Sequence, residues 1–505
     1  LADANEVAIR GASFMRQESD ALGVRLLPEG ALFGIHALRA SENFPISGYS
    51  IFPEFIVAFA QVKAACALAN QETGHLDPGR AEAIVGACRE IIAGSHHEAI
   101  IVDPFQGGAG TSLNMNVNEV VANRALQLLG HAPGDYDTLS PLAHVNLHQS
   151  TNDTYPTALR VAALTLLKDL EATTSRLQEA FQEKEAAFAH VVKVGRTELM
   201  DAVPMTLGME FGAYAEAIAR DRWRIFKCRE RIKQVNLGGT AIGTGLGAPR
   251  RFIFRAAEHL RNLTGLPVSR AENCIDNTAN ADPFVEVSGM LAALAANLLK
   301  ISSDLRLLAS GPGAGLAEIH LPALQAGSSI MPGKVNPVVP ECLGQVALRV
   351  MANHQALTLA ASLGQLELNQ YLPLLAHSLL ESLRLLRQGT SILAERCVAG
   401  ITANENRCQE LVRKSHALAT VLVPALGYET VSRLMAEAEA AGVPFADLLA
   451  ERGICSREIA AELLSPKRMR KLGFEEGEYE GMLLRRPGGA DGPLLDHPDT
   501  GEDAS

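Results

Sequence analysis

The sequence predicts a mainly α-helical, three-domain fold organised around a central bundle of long helices. Three observations predict it. The composition is rich in Ala and Leu, 47% apolar with only 5% aromatic residues, which suits packed helices. Apolar residues recur at helical spacing across 157–191, through Val161, Leu164, Leu167, Leu170, Leu177 and Phe181. The same spacing returns over 283–308, at Phe284, Val287, Leu291, Leu294, Leu298, Ile301, Leu305 and Leu308. Helices this long and apolar on more than one face bury one face against partner helices, so the bundle is expected to be shared between subunits.

The elements follow in order. Residues 1–145 read as an N-terminal mixed domain, where short helical patterns alternate with Gly- and Pro-marked turns. Residues 146–402 read as the long-helix domain, with further helical patterns starting at Pro340 and running from Leu372 to Cys397. Residues 403–472 are more charged and are broken at Pro424, Gly427 and Gly442, the texture of a small C-terminal helical domain. From Gly473 to Ser505 the chain turns to Gly, Pro and acid, and a disordered tail is expected.

At 505 residues the chain can bury a large core. A formal charge of −12 argues against nucleic acid or an anionic membrane as partner. It leaves an anionic substrate open, because steering depends on the local charge of a cleft. Eight cysteines form no CxxC pair and read as buried thiols in a reducing compartment, without a disulfide frame or a zinc site. The opening LADANEVAIRGASFMRQESD lacks the apolar core of a signal peptide. No apolar run reads as a membrane-spanning helix, so a cytoplasmic location is expected.

Chemistry concentrates in four segments. The first is GSSIMPGKVNPVVPE, residues 327–341, a loop with two serines, a lysine and an asparagine within nine positions. Serine is a poor base unless a cation and backbone donors stabilise its alkoxide; Lys334 supplies a cation. A Ser/Gly surface loop with an incidental lysine fits the first seven letters and fits the whole run poorly. The second is GGAGTSLNMNVNEVVANRA, residues 107–125. Its glycines let backbone N–H groups approach an anion, Thr111, Ser112 and Asn114 add donors, and the dense NMNVNE run implies a packed polar site. The third is HVNLHQSTNDTYP, residues 144–156, where Ser150, Thr151 and Asn152 precede a helix expected to open near Pro156. A carboxylate site at a helix N-terminus and an ordinary cap explain this segment about equally. The fourth is KVGRTELMDAVPMTLG, residues 193–208, with Thr197 and Glu198 after a charged turn. His144 and His148 read as orienting or structural residues.

Together these segments resemble the aspartase/fumarase superfamily, from FGIHALRASENFP at 33–45 to LVPALGYE at 422–429. GTSLNMNVNEV, SGPGAGLAEIHLPALQAGSSIMPGKVNPVVPE and GQLELN resemble the aspartase branch. Fumarases typically carry Gln-Thr where this chain has Ser112-Leu113, and Asn-Phe where it has Gln365-Leu366.

The resemblance implies an ammonia-lyase that eliminates an amine from an amino acid, with L-aspartate going to fumarate as the leading reaction. It implies Ser328 as the base, removing a proton beside a carboxylate held by Thr111, Ser150, Thr151 and Ser329. Lys334, Asn336 and Thr197 would bind the other carboxylate, and Asn152 and Glu198 would face the leaving amine. It implies no metal or organic cofactor, and a homotetramer whose sites form where three subunits meet. Three positions depart from the aspartase pattern: Glu198 in place of His or Gln, Gly313 in place of Arg, and His148 in place of a smaller residue or a thiol. An acidic residue beside the amine admits an ergothionase-like enzyme releasing trimethylamine from a histidine betaine. The same resemblance admits a class II fumarase and, outside catalysis, a crystallin-like structural relative. Ser328, Lys334, Asn336, Thr111, Thr151 and Asn152 together weigh against an inactive scaffold.

Overall fold

The computed structural model describes residues 15–479. The fold is mainly helical; every sheet among the described residues is a two-stranded pair. Strands β1 (Met15–Asp20) and β2 (Gly23–Pro28) form an antiparallel hairpin. Helices α1 (Ile35–Asn43), α2 (Pro53–Glu72), α3 (Pro78–Ile92) and α4 (Thr111–Leu128) follow. Three of these are longer than the short helices expected before residue 145. The reason is visible in α2, whose apolar residues lie all round its axis and are buried from Phe55 to Ala69, so it carries little helical periodicity to read.

Longer helices come next: α5 (Thr151–Ala187), α6 (Leu207–Arg231), α7 (Asp282–Leu308), α8 (Val338–Ser362) and α9 (Leu372–Ile392). Between α5 and α6 runs the antiparallel hairpin of β3 (Val192–Thr197) and β4 (Met200–Thr206). Helix α5 starts five residues before the Pro156 opening expected from sequence. A reciprocal cap starts it: the Asn152 N–H donates to Ser150 Oγ at 3.2 Å and the Ser150 N–H to Asp153 Oδ1 at 3.0 Å. Helix α7 is, by length and composition, apolar enough to cross a membrane, contrary to the sequence expectation, and 44% of its most apolar window is buried within this chain. Its charges sit toward its two ends, Asp282 and Glu286 at the start and Lys300, Asp304 and Arg306 at the finish, and leave the turns between them apolar.

The described chain divides into two compact units. The first gathers residues up to Thr174, Asp221–Leu298 and Gln345–Thr390; the second gathers Ser175–Arg220, Leu299–Gly344 and the chain from Ser391 onward. Within the second, short helices from Ala417 to Met469 close over their own apolar cluster of Leu422, Leu434, Phe445, Leu449 and Leu463. Tyr479 joins that cluster, and its hydroxyl donates to the Val421 carbonyl at 2.9 Å. Of the expected tail, Tyr479 is thus packed while residues 473–477 are exposed, and the part beyond Tyr479 lies outside the described residues. Seven of the eight cysteines are buried free thiols, while Cys342 is exposed on α8.

Candidate active site

In the first unit the Gly-rich loop and the 150–152 segment are built onto one another. Gly110 caps α4 at a φ of +95°, and its α-carbon faces the ring of buried Tyr155 so closely that no side chain fits. Thr111 is the first residue of α4; it is exposed, and its hydroxyl donates to the Gly108 carbonyl at 2.7 Å. One turn on, Asn114 Nδ2 donates to Thr151 Oγ1 at 3.0 Å, which joins the two segments. The cap reading of Ser150 is correct in geometry, and it leaves the hydroxyl proton of Ser150 to donate. Asn152 donates its Nδ2 to the Ala241 carbonyl at 2.8 Å and so turns its Oδ1, an acceptor, away from that contact.

Sequence reading missed the support beneath these residues. Asp153 is fully buried and accepts from the N–H groups of Gly238 at 3.2 Å and Thr240 at 2.9 Å with the oxygen not used in the cap. Burial pushes its carboxyl up to about 7, against the pull of those donors. Lys63 on α2 is also fully buried and donates to Asn114, Asn146 and Gln149. Its signal was available: it is the one charge between Glu54 and Glu72 in an apolar helix. Glu119, by contrast, belongs to the NMNVNE run expected to pack as a polar site; it is buried and accepts from the N–H groups of Gly34, His36 and Ala37, fixing the start of α1. His148 Nδ1 bonds Asn70 Oδ1 at 2.7 Å, and His144 Nδ1 accepts from the Ser140 N–H at 2.8 Å, so both rings hold backbone and loop in place.

The remaining expected residues belong to the second unit. The loop from Gly327 to Asn336 closes on itself: the Gly327 N–H donates to the Lys334 carbonyl at 2.8 Å, and Asn336 Nδ2 donates to the Gly327 carbonyl at 3.0 Å. Any side chain at 327 would meet the Lys334 carbonyl, which explains the glycine. Ser328 Oγ accepts from two backbone N–H groups, Ile330 at 3.1 Å and Met331 at 3.0 Å. Ser329 is exposed. Lys334 is exposed, forms no ion pair among the described residues, and lines an open cleft of about 680 Å³ with Asn336, Arg306, His320 and Glu341.

Thr197 and Glu198 are exposed at the tip of the β3–β4 hairpin, where Glu198 and Leu199 both take left-handed backbone angles, φ +54° and +66°. Thr197 pairs with Met200 in the strand register, so the turn between them holds two residues. Its base is anchored by fully buried Glu318, which pairs with Arg196 at 2.9 Å and Lys193 at 3.0 Å. Arg196 is therefore engaged below the tip, and Glu198 makes no ion pair among the described residues. No hydrogen bond or ion pair among the described residues joins Thr197 or Glu198 to Ser328, Lys334 or Asn336. Position 313 faces open space, so the missing arginine leaves no hole in the packing.

The first unit thus offers neutral donors, and the second offers the Lys334 cation and a serine whose oxygen is held by backbone donors. Comparison with known proteins gives the family. Residues 26–352 match the lyase family, and residues 418–471 match the fumarase C C-terminus family. The chain is 46% identical over 466 residues to the aspartate ammonia-lyase of Bacillus subtilis, covering 92% of this chain and 98% of that protein. It is 48% identical over 461 residues to that of Pseudomonas fluorescens, covering 91% and 96%. Among solved structures, the fumarate lyase:delta crystallin of Brucella melitensis is 45% identical with a TM-score of 0.87, covering 91% of this chain and 100% of that one. The class II fumarase of Schistosoma mansoni is 33% identical with a TM-score of 0.84, covering 90% and 99%. The chain belongs to the lyases of the aspartase/fumarase superfamily.

Proposed function

We propose that this chain eliminates ammonia from L-aspartate to give fumarate, with Ser328 as the base. The observation that carries the reading is the pair of backbone N–H groups on Ser328 Oγ, from Ile330 and Met331. Two fixed donors aimed at one oxygen favour its alkoxide at the site where serine has to act as a base. The alkoxide takes the proton from the carbon beside one substrate carboxylate. That carboxylate gains charge as an aci-carboxylate, held by hydroxyls of Ser150, Thr151 and Ser329, and by that of Thr111 once its proton turns from the Gly108 carbonyl. As the C=C bond forms, the C–N bond breaks and its electron pair leaves with nitrogen. Lys334, with Asn336 and Thr197, holds the other carboxylate. The leaving amine is a donor and needs acceptors, which Asn152 Oδ1 and the Glu198 carboxylate supply. The relatives at 46–48% identity that carry the name aspartate ammonia-lyase support the substrate.

A cytoplasmic homotetramer with sites shared between subunits belongs to the same reading. It is supported by the apolar face that α7 leaves uncovered in one chain, and by a hairpin tip whose Leu199 and Met200 are 72% and 70% exposed. The three-domain division is supported by the separate apolar cluster near the C-terminus. One observation favours a second substrate: the exposed Glu198 carboxylate, with no ion pair among the described residues, suits a quaternary ammonium as well as a primary one. A panel of L-aspartate, fumarate, malate and trimethylammonium amino acids, followed by absorbance of the new C=C bond, decides between them. Fumarate from aspartate is expected; product from a betaine alone would replace the substrate, and no turnover of any would remove the activity. Sedimentation showing a monomer at micromolar concentration would remove the tetramer.

A further inference from the structure

We propose that Lys63 is a positioning residue: it holds the amides of Asn114, Asn146 and Gln149 oxygen-first, fixes Asn114 as a donor to Thr151, and so turns the Thr151 hydroxyl proton outward to the substrate carboxylate. The inference rests on the reading of Thr151 as a carboxylate donor.

Hydrogen-bond direction carries the argument. Lys63 Nζ lies 2.7 Å from Asn114 Oδ1, 2.9 Å from Gln149 Oε1 and 3.1 Å from Asn146 Oδ1. An ammonium has three N–H donors and no lone pair, so each amide must present oxygen to it. One cation therefore settles the orientation of three amides, two of which sit on the 144–152 loop itself. With its oxygen committed to Lys63, and to the Thr154 hydroxyl at 3.2 Å, Asn114 has only nitrogen left for Thr151. Gln149 then donates its Nε2 to the Val145 carbonyl at 2.9 Å, and Asn146 its Nδ2 to the Gln149 carbonyl at 3.3 Å. An amide N–H cannot accept, so the Thr151 hydroxyl receives from Asn114 and keeps its own proton to give. Among the described residues that proton is bonded to no acceptor.

A buried cation compensated only by amides is a costly way to fill a helix interface. Asp153, the acid whose field reaches Lys63, spends its oxygens on the Ser150, Gly238 and Thr240 N–H groups. A leucine would pack α2 more cheaply and would leave all three amides free to flip. The cation is therefore matched to the task of setting direction.

The test uses the full chain and three variants: Asn114→Asp, Thr151→Val and the double variant. In Asn114→Asp the introduced carboxylate still accepts from Lys63, so folding is kept, but it cannot donate to Thr151, whose proton turns inward to it. The expected results are a melting temperature within about 3 °C of the parent and a kcat/KM lowered about 10- to 100-fold. The loss should fall on kcat more than KM, because the lost donor serves charge developed in the transition state. Thr151→Val should lose a similar factor, and the double variant should lie within about twofold of Thr151→Val, since both remove one donor. Losses that multiply in the double variant, or Asn114→Asp with parent kcat/KM, would overturn the inference. Thr151→Val with parent kcat/KM would instead overturn the site reading beneath it. Should Asn114→Asp fail to fold, Lys63→Gln, whose amide presents either end, takes its place in the same cycle with the same two outcomes.

Discussion

Gly110→Ala places a methyl group where the structure has no room for one. Gly110 sits at φ +95° and ψ 9° at the start of α4. A Cβ in that left-handed region costs about 1–2 kcal/mol. An ideal Cβ would also lie 2.2 Å from Cδ2 and 2.3 Å from Cε2 of Tyr155. That ring is 2% exposed and is held edge-on by Phe55 at 5.1 Å and Phe59 at 5.6 Å, so it cannot swing aside. Overpacking of this kind costs about 1–3 kcal/mol, which brings the total to about 2–5 kcal/mol. At about 1–2 °C per kcal/mol for a chain of this length, the melting temperature followed by far-UV circular dichroism should fall by about 2 °C or more. Fumarate formation should fall with it, because the Gly110 carbonyl accepts from the Asn114 N–H and any shift there displaces Thr111. A melting temperature within about 1 °C of the parent would refute the reasoning. The cause is isolated by a Tyr155→Leu background, in which the same change at Gly110 should lose less stability.

Ser328→Ala removes the base and should lower kcat by several orders of magnitude with substrate binding largely kept; turnover within about tenfold of the parent sinks the assignment. Glu198→Gln keeps shape and removes charge, and should lower kcat/KM about 10- to 100-fold on a trimethylammonium substrate and less on aspartate, whose amine still hydrogen-bonds the amide. Equal, small effects on every amine would make Glu198 a turn residue only. Glu318→Ala leaves half-buried Arg196 without its acid and buried Lys193 with Glu210 alone, and should cost up to about 3–5 kcal/mol in urea titration, where a loss below about 1 kcal/mol contradicts the pairing. Burial holds Lys63 down at about 8 against 10.5 for the free side chain, so the unfolded chain keeps its proton where the folded chain has lost it. Stability should therefore rise as pH climbs from about 8 to about 10.5, and Lys63→Met should abolish that rise. A parent with no such rise, measured as urea midpoints, answers against it.

The long helices were legible because their burial is periodic. Residues 283–308 read as helix from their apolar spacing, and α7 spans Asp282–Leu308. Helix α5 reads correctly in its body and wrongly at its start. Pro156 suggested the opening, whereas Asp153 closing on the Ser150 N–H sets it. The serine loop was legible as a loop from Gly and Pro, but the two donors on Ser328 Oγ depend on backbone angles that residue types do not spell out. The hairpin tip was not legible at all. Its turn is made by Glu198 and Leu199, without the Asn or Gly that usually marks such angles. The polar support was hidden by distance along the chain, since Lys63 meets Asn114 and Gln149 51 and 86 residues away.

The interleaving of the two units bears on how the protein can be made. The first unit needs residues as late as Thr390, and the second draws on three segments, the last of which begins at Ser391. A ribosome releases the chain from the amino end, so neither unit has all its pieces until most of translation is over. Helices α5, α6 and α7 must wait with apolar faces open while later segments emerge, which is the state that chaperones hold and that aggregates when they do not. Truncation does not relieve this, because no single cut yields one whole unit free of pieces of the other. Shortened versions ending before Thr390 should therefore collect in inclusion bodies, whereas a nick in an exposed turn, made after assembly, should be tolerated.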